Sequence, residues 1–302
     1  SGAVSADITG DGNTAVGYKT LEDITTADNN TAVGDSALAN TTTGGGNTAV
    51  GKNSQANNTT GTANTSLGAG SLQLTTTGGS NVAVGHNSLQ SNTTASNNTA
   101  VGVSALVSNT TGAQNTAIGT YALDANTTGA DNTGLGYHVM GANTTGSQNV
   151  AIGRNALDSN TTASYGTAVG HGALTANTTG ANNTAVGHGT LAANTEGSEN
   201  VAVGRIALAA NTTGTNNIGI GYGALDANTT SSYNIAIGRD ALGANTTGTN
   251  NTALGKDAGL TQTTANGCTW LGTSSGRVNT ASNNTGIGAG ALYANTTGAR
   301  NT

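Results

Sequence analysis

Three observations predict an all-β fold for this chain, a parallel β-solenoid built from 17-residue coils. A glycine returns every 17 residues, at Gly17, Gly34, Gly51, Gly68, Gly85, Gly102 and Gly119, then onward to Gly272, with a last interval to Gly288 one residue short. A fixed short period held this long makes each repeat one coil of a stack that contacts only its neighbours. Before every glycine lies a strand-like triplet of the Thr-Ala-Val type, and Pro, which cannot donate to a ladder, is absent from all 302 residues.

The elements of one coil follow in order from the consensus Asn-Thr-Ala-Val-Gly-x-x-Ala-Leu-x-x-Asn-Thr-Thr-Gly-x-Asn. The residue before the glycine is Val, Ile or Leu throughout, and two residues earlier sits Thr, Val or Ile. Positions two apart on a strand share a face, so these two columns are expected to point into the coil. The small residue between them, usually Ala, then faces outward, where another backbone or sheet approaches closely; Trp270 is the lone large exception. The glycine is expected to take a turn or bulge conformation that a Cβ would obstruct. Ala-Leu forms a second segment, read as a second short strand, in which Met140 is a conservative replacement for Leu and Gln55 and Gly276 are not. Asn-Thr-Thr-Gly has the residues of a turn.

Stacked coils lie ~4.8 Å apart, so identical side chains can bond along the axis as ladders. The predicted structural ladders are Thr42, Thr59, Thr76, Thr93, Thr110, Thr127 and Thr144, and Asn47, Asn64, Asn81, Asn98 and Asn115, with Gly166 and Cys268 interrupting the Asn column. About seventeen coils give a rod of ~80 Å at that spacing. The array is expected to run as one continuous solenoid over 13–302, with 1–12 as an N-terminal cap or a preceding coil. The chain begins without Met and stops at Asn301-Thr302, the opening of another repeat, as expected of an array cut from a longer protein.

Composition narrows the function. A net charge of −6 and a pI near 4.9 argue against nucleic acid as partner. A single cysteine, Cys268, excludes an internal disulfide framework and a multi-cysteine zinc site, and is read as a small buried hydrophobe. No stretch approaches the ~20 apolar residues of a membrane span, and no signal peptide pattern is present. With one Trp, seven Tyr and no Phe, each coil has little to bury. A second buried surface, the Ala/Leu face, is therefore expected to be shared with copies of the same chain.

Asn-Thr-Ala-Val-Gly at 13–17, 47–51 and 183–187, with the variants at 81–85 and 234–238, resembles the head repeat of trimeric autotransporter adhesins. The whole repeat is similar also to the arrays of bacterial and phage tail-fibre-like proteins. The resemblance covers essentially 13–302 and implies a left-handed β-roll with two short strands per coil, three chains side by side, and display outside the cell or on a virion. The coil length of 17 is longer than the usual autotransporter head coil, and neither stalk, membrane anchor nor chaperone domain lies in this chain.

Catalytic patterns fail. Asp124, Asp158 and Asp226 share a slot but lie at least two coils apart, and glycine patterns such as Gly219-Ile220-Gly221 belong to the repeat and lack a strand-to-helix context. Coils of 17 do not fit a hexapeptide acyltransferase. The N-glycosylation pattern within Asn-Thr-Thr is a by-product of the repeat. His86, His171 and His188 follow their glycines directly and His138 sits one further on; they read as members of an outward, variable slot that also holds Tyr18, Asp35, Lys52, Arg154, Arg205, Tyr222, Arg239 and Lys256. Asp7, Thr9 and Asp11 resemble the opening of a calcium loop, but its twelfth position is Tyr18, which leaves the ligand set incomplete and favours a polar cap with Glu22, Asp23 and Asp28.

The reading is a structural, non-catalytic extracellular fibre segment, without cofactor, that self-associates as a homotrimer or longer filament and attaches to a surface or matrix glycan or protein. The alternative is an ice-binding solenoid presenting Asn-x-Thr on one face.

Overall fold

The computed structural model describes residues 9–302, which fall into two units, one ending at Asn149 and the other beginning at Val150. Each is a parallel β-solenoid, and no helix occurs among the described residues. The first unit holds β1 (Thr14–Val16), β2 (Thr31–Val33), β3 (Thr48–Val50), β4 (Thr65–Leu67), β5 (Val82–Val84), β6 (Thr99–Val101), β7 (Thr116–Ile118) and β8 (Thr133–Leu135). The second holds β9 (Val150–Ile152), β10 (Thr167–Val169), β11 (Thr184–Val186), β12 (Val201–Val203), β13 (Ile218–Ile220), β14 (Ile235–Ile237), β15 (Thr252–Leu254), β16 (Thr269–Leu271) and β17 (Thr285–Ile287). Within each unit, successive strands pair in parallel and in register, Thr14 on Thr31 and Ala15 on Ala32 in the first, Thr167 on Thr184 in the second.

Two expectations are corrected here. Each coil has one strand, because the Ala-Leu segment is a tight turn: Leu21, Leu38, Leu72 and Leu89 have φ between +49° and +52°. A left-handed conformation at a non-glycine residue costs about 1–2 kcal/mol, so it persists only where the surroundings enforce it. Through this turn the donors pass from the coil before to the coil after, with Ala37 N–H between them held by Gly34 O of its own coil (3.3 Å). Ser36, also left-handed at φ +58°, donates from its N–H to Tyr18 O of the coil before (2.8 Å), while Leu38 donates to Ser54 O of the coil after (3.0 Å). The turn thereby keeps its backbone bonded and drives the leucine side chain inward, fully buried.

The second correction concerns the strand faces. Ala32, Ala49, Ala83 and Ala100 are fully buried, whereas the flanking Thr and Val columns face out, with Val16 56% and Leu67 51% exposed. The coil is too narrow to take two β-branched columns beside the leucine; an alanine is what fits against it. Ala and Leu are therefore the interior and not a face left for another chain.

The glycine column holds the bend. Gly51 has φ +135°, and a Cβ there would lie 2.6 Å from the carbonyl carbon and oxygen of Gly68 in the next coil. Both the conformation and the close approach demand glycine.

Two groups of coils depart from the pattern. Gln55 fills a leucine slot, and its amide donates to Thr48 O (3.0 Å) and Ser66 Oγ (2.8 Å), joining Ser54 and Ser71 in a buried polar patch. Farther on, Trp270 fills an alanine slot and is fully buried, its Nε1–H donating to Gln262 Oε1 at 2.9 Å. The space comes from glycines in the slots around it: Gly259 and Gly276 replace leucine, and Gly286 replaces alanine. A Cβ on Gly259 would meet the indole at 2.8 Å, one on Gly286 at 3.0 Å, and one on Gly276 would fall inside the ring's contact distance.

Candidate functional site

The longest continuous chemistry in either unit is its hydrogen-bonded ladders. In the asparagine column before each strand, the side-chain oxygen accepts the backbone N–H of the asparagine one coil on: Asn47 Oδ1 from Asn64 (3.0 Å), Asn64 Oδ1 from Asn81 (3.0 Å), Asn81 Oδ1 from Asn98 (3.0 Å) and Asn98 Oδ1 from Asn115 (2.9 Å). Each amide nitrogen donates to a carbonyl of the following turn, as Asn98 Nδ2 does to Gly112 O at 3.0 Å. All are buried, so the ladder satisfies groups that would otherwise be costly to hide.

The threonine column lies at the surface, where each hydroxyl donates to the backbone oxygen of the equivalent residue: Thr42 to Thr59 O (3.1 Å), Thr59 to Thr76 (3.0 Å), Thr76 to Thr93 (3.2 Å), Thr93 to Thr110 (3.1 Å), Thr110 to Thr127 (3.0 Å) and Thr127 to Thr144 (3.0 Å). A third ladder escaped sequence reasoning. The asparagine that opens Asn-Thr-Thr-Gly is also buried, and Asn126 Nδ2 donates to Asn109 Oδ1 while Asn143 Nδ2 donates to Asn126 Oδ1, both at 2.8 Å. Its signal was the asparagine itself, read as a turn former when its amide is an interior bonding group. Asn-x-Thr consequently does not present a shared outer face.

Cys268 takes an asparagine's place in the first ladder. Its N–H donates to Asn251 Oδ1 (2.9 Å), and its sulfur donates to Ala281 O (3.4 Å) and is approached by Asn279 Nδ2 (3.8 Å). Burial pushes the thiol pKa up, and the surrounding Asn284, Asn283 and Asn279 donors oppose the shift.

Outside, the slot after the glycine forms a column. In the second unit it reads Arg154, His171, His188, Arg205, Tyr222, Arg239 and Lys256 over successive coils, all exposed. His171 and His188 stack with ring centroids 5.2 Å apart and planes 9° from parallel. The nitrogen lone pairs lie in the ring planes, so in two parallel rings they run side by side and do not converge on one ion. The Arg205 and Arg239 guanidiniums lie 5.7 and 6.0 Å from the Tyr222 ring centroid, one from each side. Arg239 Nε also donates to Asp240 Oδ2 at 3.0 Å. Beside it, burial first and the Asp240 charge second raise the pKa of Asp226. In the first unit, Tyr121, Tyr137 and His138 make an aromatic group with centroids 5.9–6.4 Å apart.

Of the calcium-loop candidates, Asp7 lies outside the described residues. Thr9 is tied by its N–H to Thr25 O (3.0 Å), and Asp11 is exposed with its N–H donating to Asp28 Oδ1 (2.7 Å). Among the described residues no three His, Cys, Asp or Glu side chains converge on a point that could hold a metal, and no pocket opens. Among the described residues no helix is long and apolar enough to cross a membrane. Compared with known proteins, the chain matches no family model and no curated protein sequence.

Proposed function

We propose that this chain is a structural, non-catalytic segment of an extracellular fibre that associates with copies of itself and attaches to a surface. One observation carries the reading. In both units every strand turns two residues outward, and these two columns contain only Thr, Val, Ile and Leu, without one charged residue. Leu135 at 44% and Leu254 at 42% exposure belong to this uncharged face, which repeats at every coil. Contiguous apolar surface of that kind is characteristic of an association site, and a homotrimer is the assembly that the resemblance to adhesin heads implies.

The solution mass tests it. Light scattering with sedimentation is expected to give a species near three times 29.0 kDa with a high frictional ratio. Introducing like charges with Val50→Asp and Val84→Asp on the face should dissociate it. A stable monomer of unaltered sequence would refute self-association.

A second reading has its own support. Thr14, Thr31, Thr48 and Thr65 stand outward in register beside the Val16, Val33, Val50 and Leu67 column, a regular Thr-x-Val array in place of the expected Asn-x-Thr. Such an array could order water as an ice-binding surface. Thermal hysteresis in a cooled solution supports that use, and its absence at millimolar protein would remove it.

A further inference from the structure

We infer that the outer column Arg154–Lys256 of the second unit is a binding strip for a linear acidic polysaccharide carrying one carboxylate per sugar, laid along the stack. The inference names a ligand class for the attachment role proposed above and rests on that reading. Its basis is the distribution of charge. The chain is acidic overall, at −6, and has only eight Lys and Arg: Lys19, Lys52, Arg154, Arg205, Arg239, Lys256, Arg277 and Arg300. Four of these eight occupy one slot within seven successive coils, and two of the remaining positions in that run are histidines. The equivalent column of the first unit shows no such bias, running Tyr18, Asp35, Lys52, Ala69, His86, Val103, Thr120 and Tyr137. A tolerant surface slot does not by itself concentrate cations in one unit.

The geometry suits a ribbon-like sugar chain. Seven coils at ~4.8 Å place the terminal members of the strip ~29 Å apart, and the 5.2 Å stack of His171 on His188 shows that spacing at the side-chain level. An extended pyranose chain advances by a comparable length per sugar, so its carboxylates can meet successive rungs in register. Arg205 and Arg239 flank Tyr222, which gives an aromatic face for a sugar ring between two guanidiniums able to bind carboxylates in bidentate fashion. The Asp240 carboxylate already bonded to Arg239 demonstrates that pairing within the chain and would compete with the ligand there. Directly beside the strip runs the half-buried to exposed Ile152–Leu254 column of the strand face, an apolar flank for the ring C–H surfaces. A nucleic acid fits less well: duplex phosphates repeat at ~3.4 Å per strand, out of register with the coils, and single strands want a run of stacking aromatics where this strip has one tyrosine.

The test uses the whole chain, a size-defined oligogalacturonate and a dextran oligomer of equal length, with binding read by calorimetry at low salt. Binding to the uronate and not to dextran is expected. The double variant Arg205→Ala/Arg239→Ala should weaken it at least tenfold, about the loss of one charge-assisted contact, while Lys52→Ala in the first unit should leave it unchanged. Far-UV circular dichroism checks that these exposed substitutions leave the fold intact. Failure of the unaltered chain to bind, equal loss in Lys52→Ala, or tighter binding to an oligonucleotide of equal charge would each overturn the inference. Solution mass measured on the same samples keeps the two proposals apart: a monomer that binds uronate sinks the fibre, and an oligomer that does not bind sinks the strip.

Discussion

Replacing Trp270 by alanine should cost more than any other single change in the second unit. The indole is completely buried, and its three nearest replaced slots, Gly259, Gly276 and Gly286, have no side chains that could swing in to fill the void. Trp→Ala in a core costs about 3–5 kcal/mol, and a site that cannot collapse belongs at the upper end. Gln262 Oε1 would also lose its indole donor and keep only a long bond from Asn279 Nδ2 at 3.4 Å, adding roughly 1 kcal/mol. A loss of about 4–6 kcal/mol is expected, confined at first to the adjacent coils because contacts in a solenoid are nearest-neighbour. Native-state hydrogen exchange should show it as roughly three to four orders of magnitude less protection over residues 255–288, at 1.4 kcal/mol per tenfold. Gly259 and Gly276 have φ of +62° and +56°, the conformation that leucines adopt in the other coils, so their glycine identity serves the tryptophan and not the backbone. The triple variant Trp270→Ala/Gly259→Leu/Gly276→Leu restores the ordinary interior and should recover most of the loss. A single variant within about 1 kcal/mol of the parent, or a triple variant no better than the single, would refute the packing argument.

Other positions test other parts of the coil. Gly51→Ala must place a Cβ against the Gly68 carbonyl at φ +135° and should lower stability by about 2–3 kcal/mol, read from urea unfolding; an effect below half of that would mean that the bend adapts. Asn98→Leu removes the acceptor of the Asn115 N–H and the donor to Gly112 O, for an expected loss of about 2–4 kcal/mol by the same assay, whereas Asn115→Leu should cost as much and the two together less than their sum. Cys268 should resist a soluble thiol reagent in the folded protein and react at once in urea. Its raised pKa has a sign: the folded chain retains the proton longer than the unfolded one, so the associated stability is fully present below the unfolded thiol pKa of about 8.5 and is lost as pH rises through the folded value. Cys268→Ser should flatten that alkaline decline.

The period, the parallel stacking, the glycine bend and two of the three ladders were legible in the sequence, because each is a matter of one residue type recurring in one slot. What could not be read was which way the strand residues point. Thr-Ala-Val alternates whichever face is inward, and β-branched residues ordinarily indicate the buried side; here the width left beside Leu38 or Leu72 admits only a small residue such as alanine or serine, a constraint visible only when the coil is closed. Leucine in a left-handed turn is likewise against local preference and is imposed by the need to aim N–H groups at both neighbours. The accommodation of Trp270 was in principle readable, since glycine appears in three otherwise filled slots within 27 residues of sequence, from Gly259 to Gly286. The slot after the glycine was legible as outward from the variety of its residues, and Arg154 to Lys256 stand exposed over consecutive coils.

Because the bonds between coils recur with the 17-residue period, from each coil to the next, one ordinary coil is interchangeable with another. Removing or duplicating 17 residues leaves matching surfaces on both sides of the junction, so recombination between near-identical stretches of the gene can lengthen or shorten the array without a folding penalty. Trp270 is an exception to that freedom. Deleting the coil above or below it would bring a leucine into the indole, and such a product would be selected against. Length is therefore free to drift elsewhere in the array, while the segment around Gly259–Gly286 stays as a fixed landmark from which that drift can be counted.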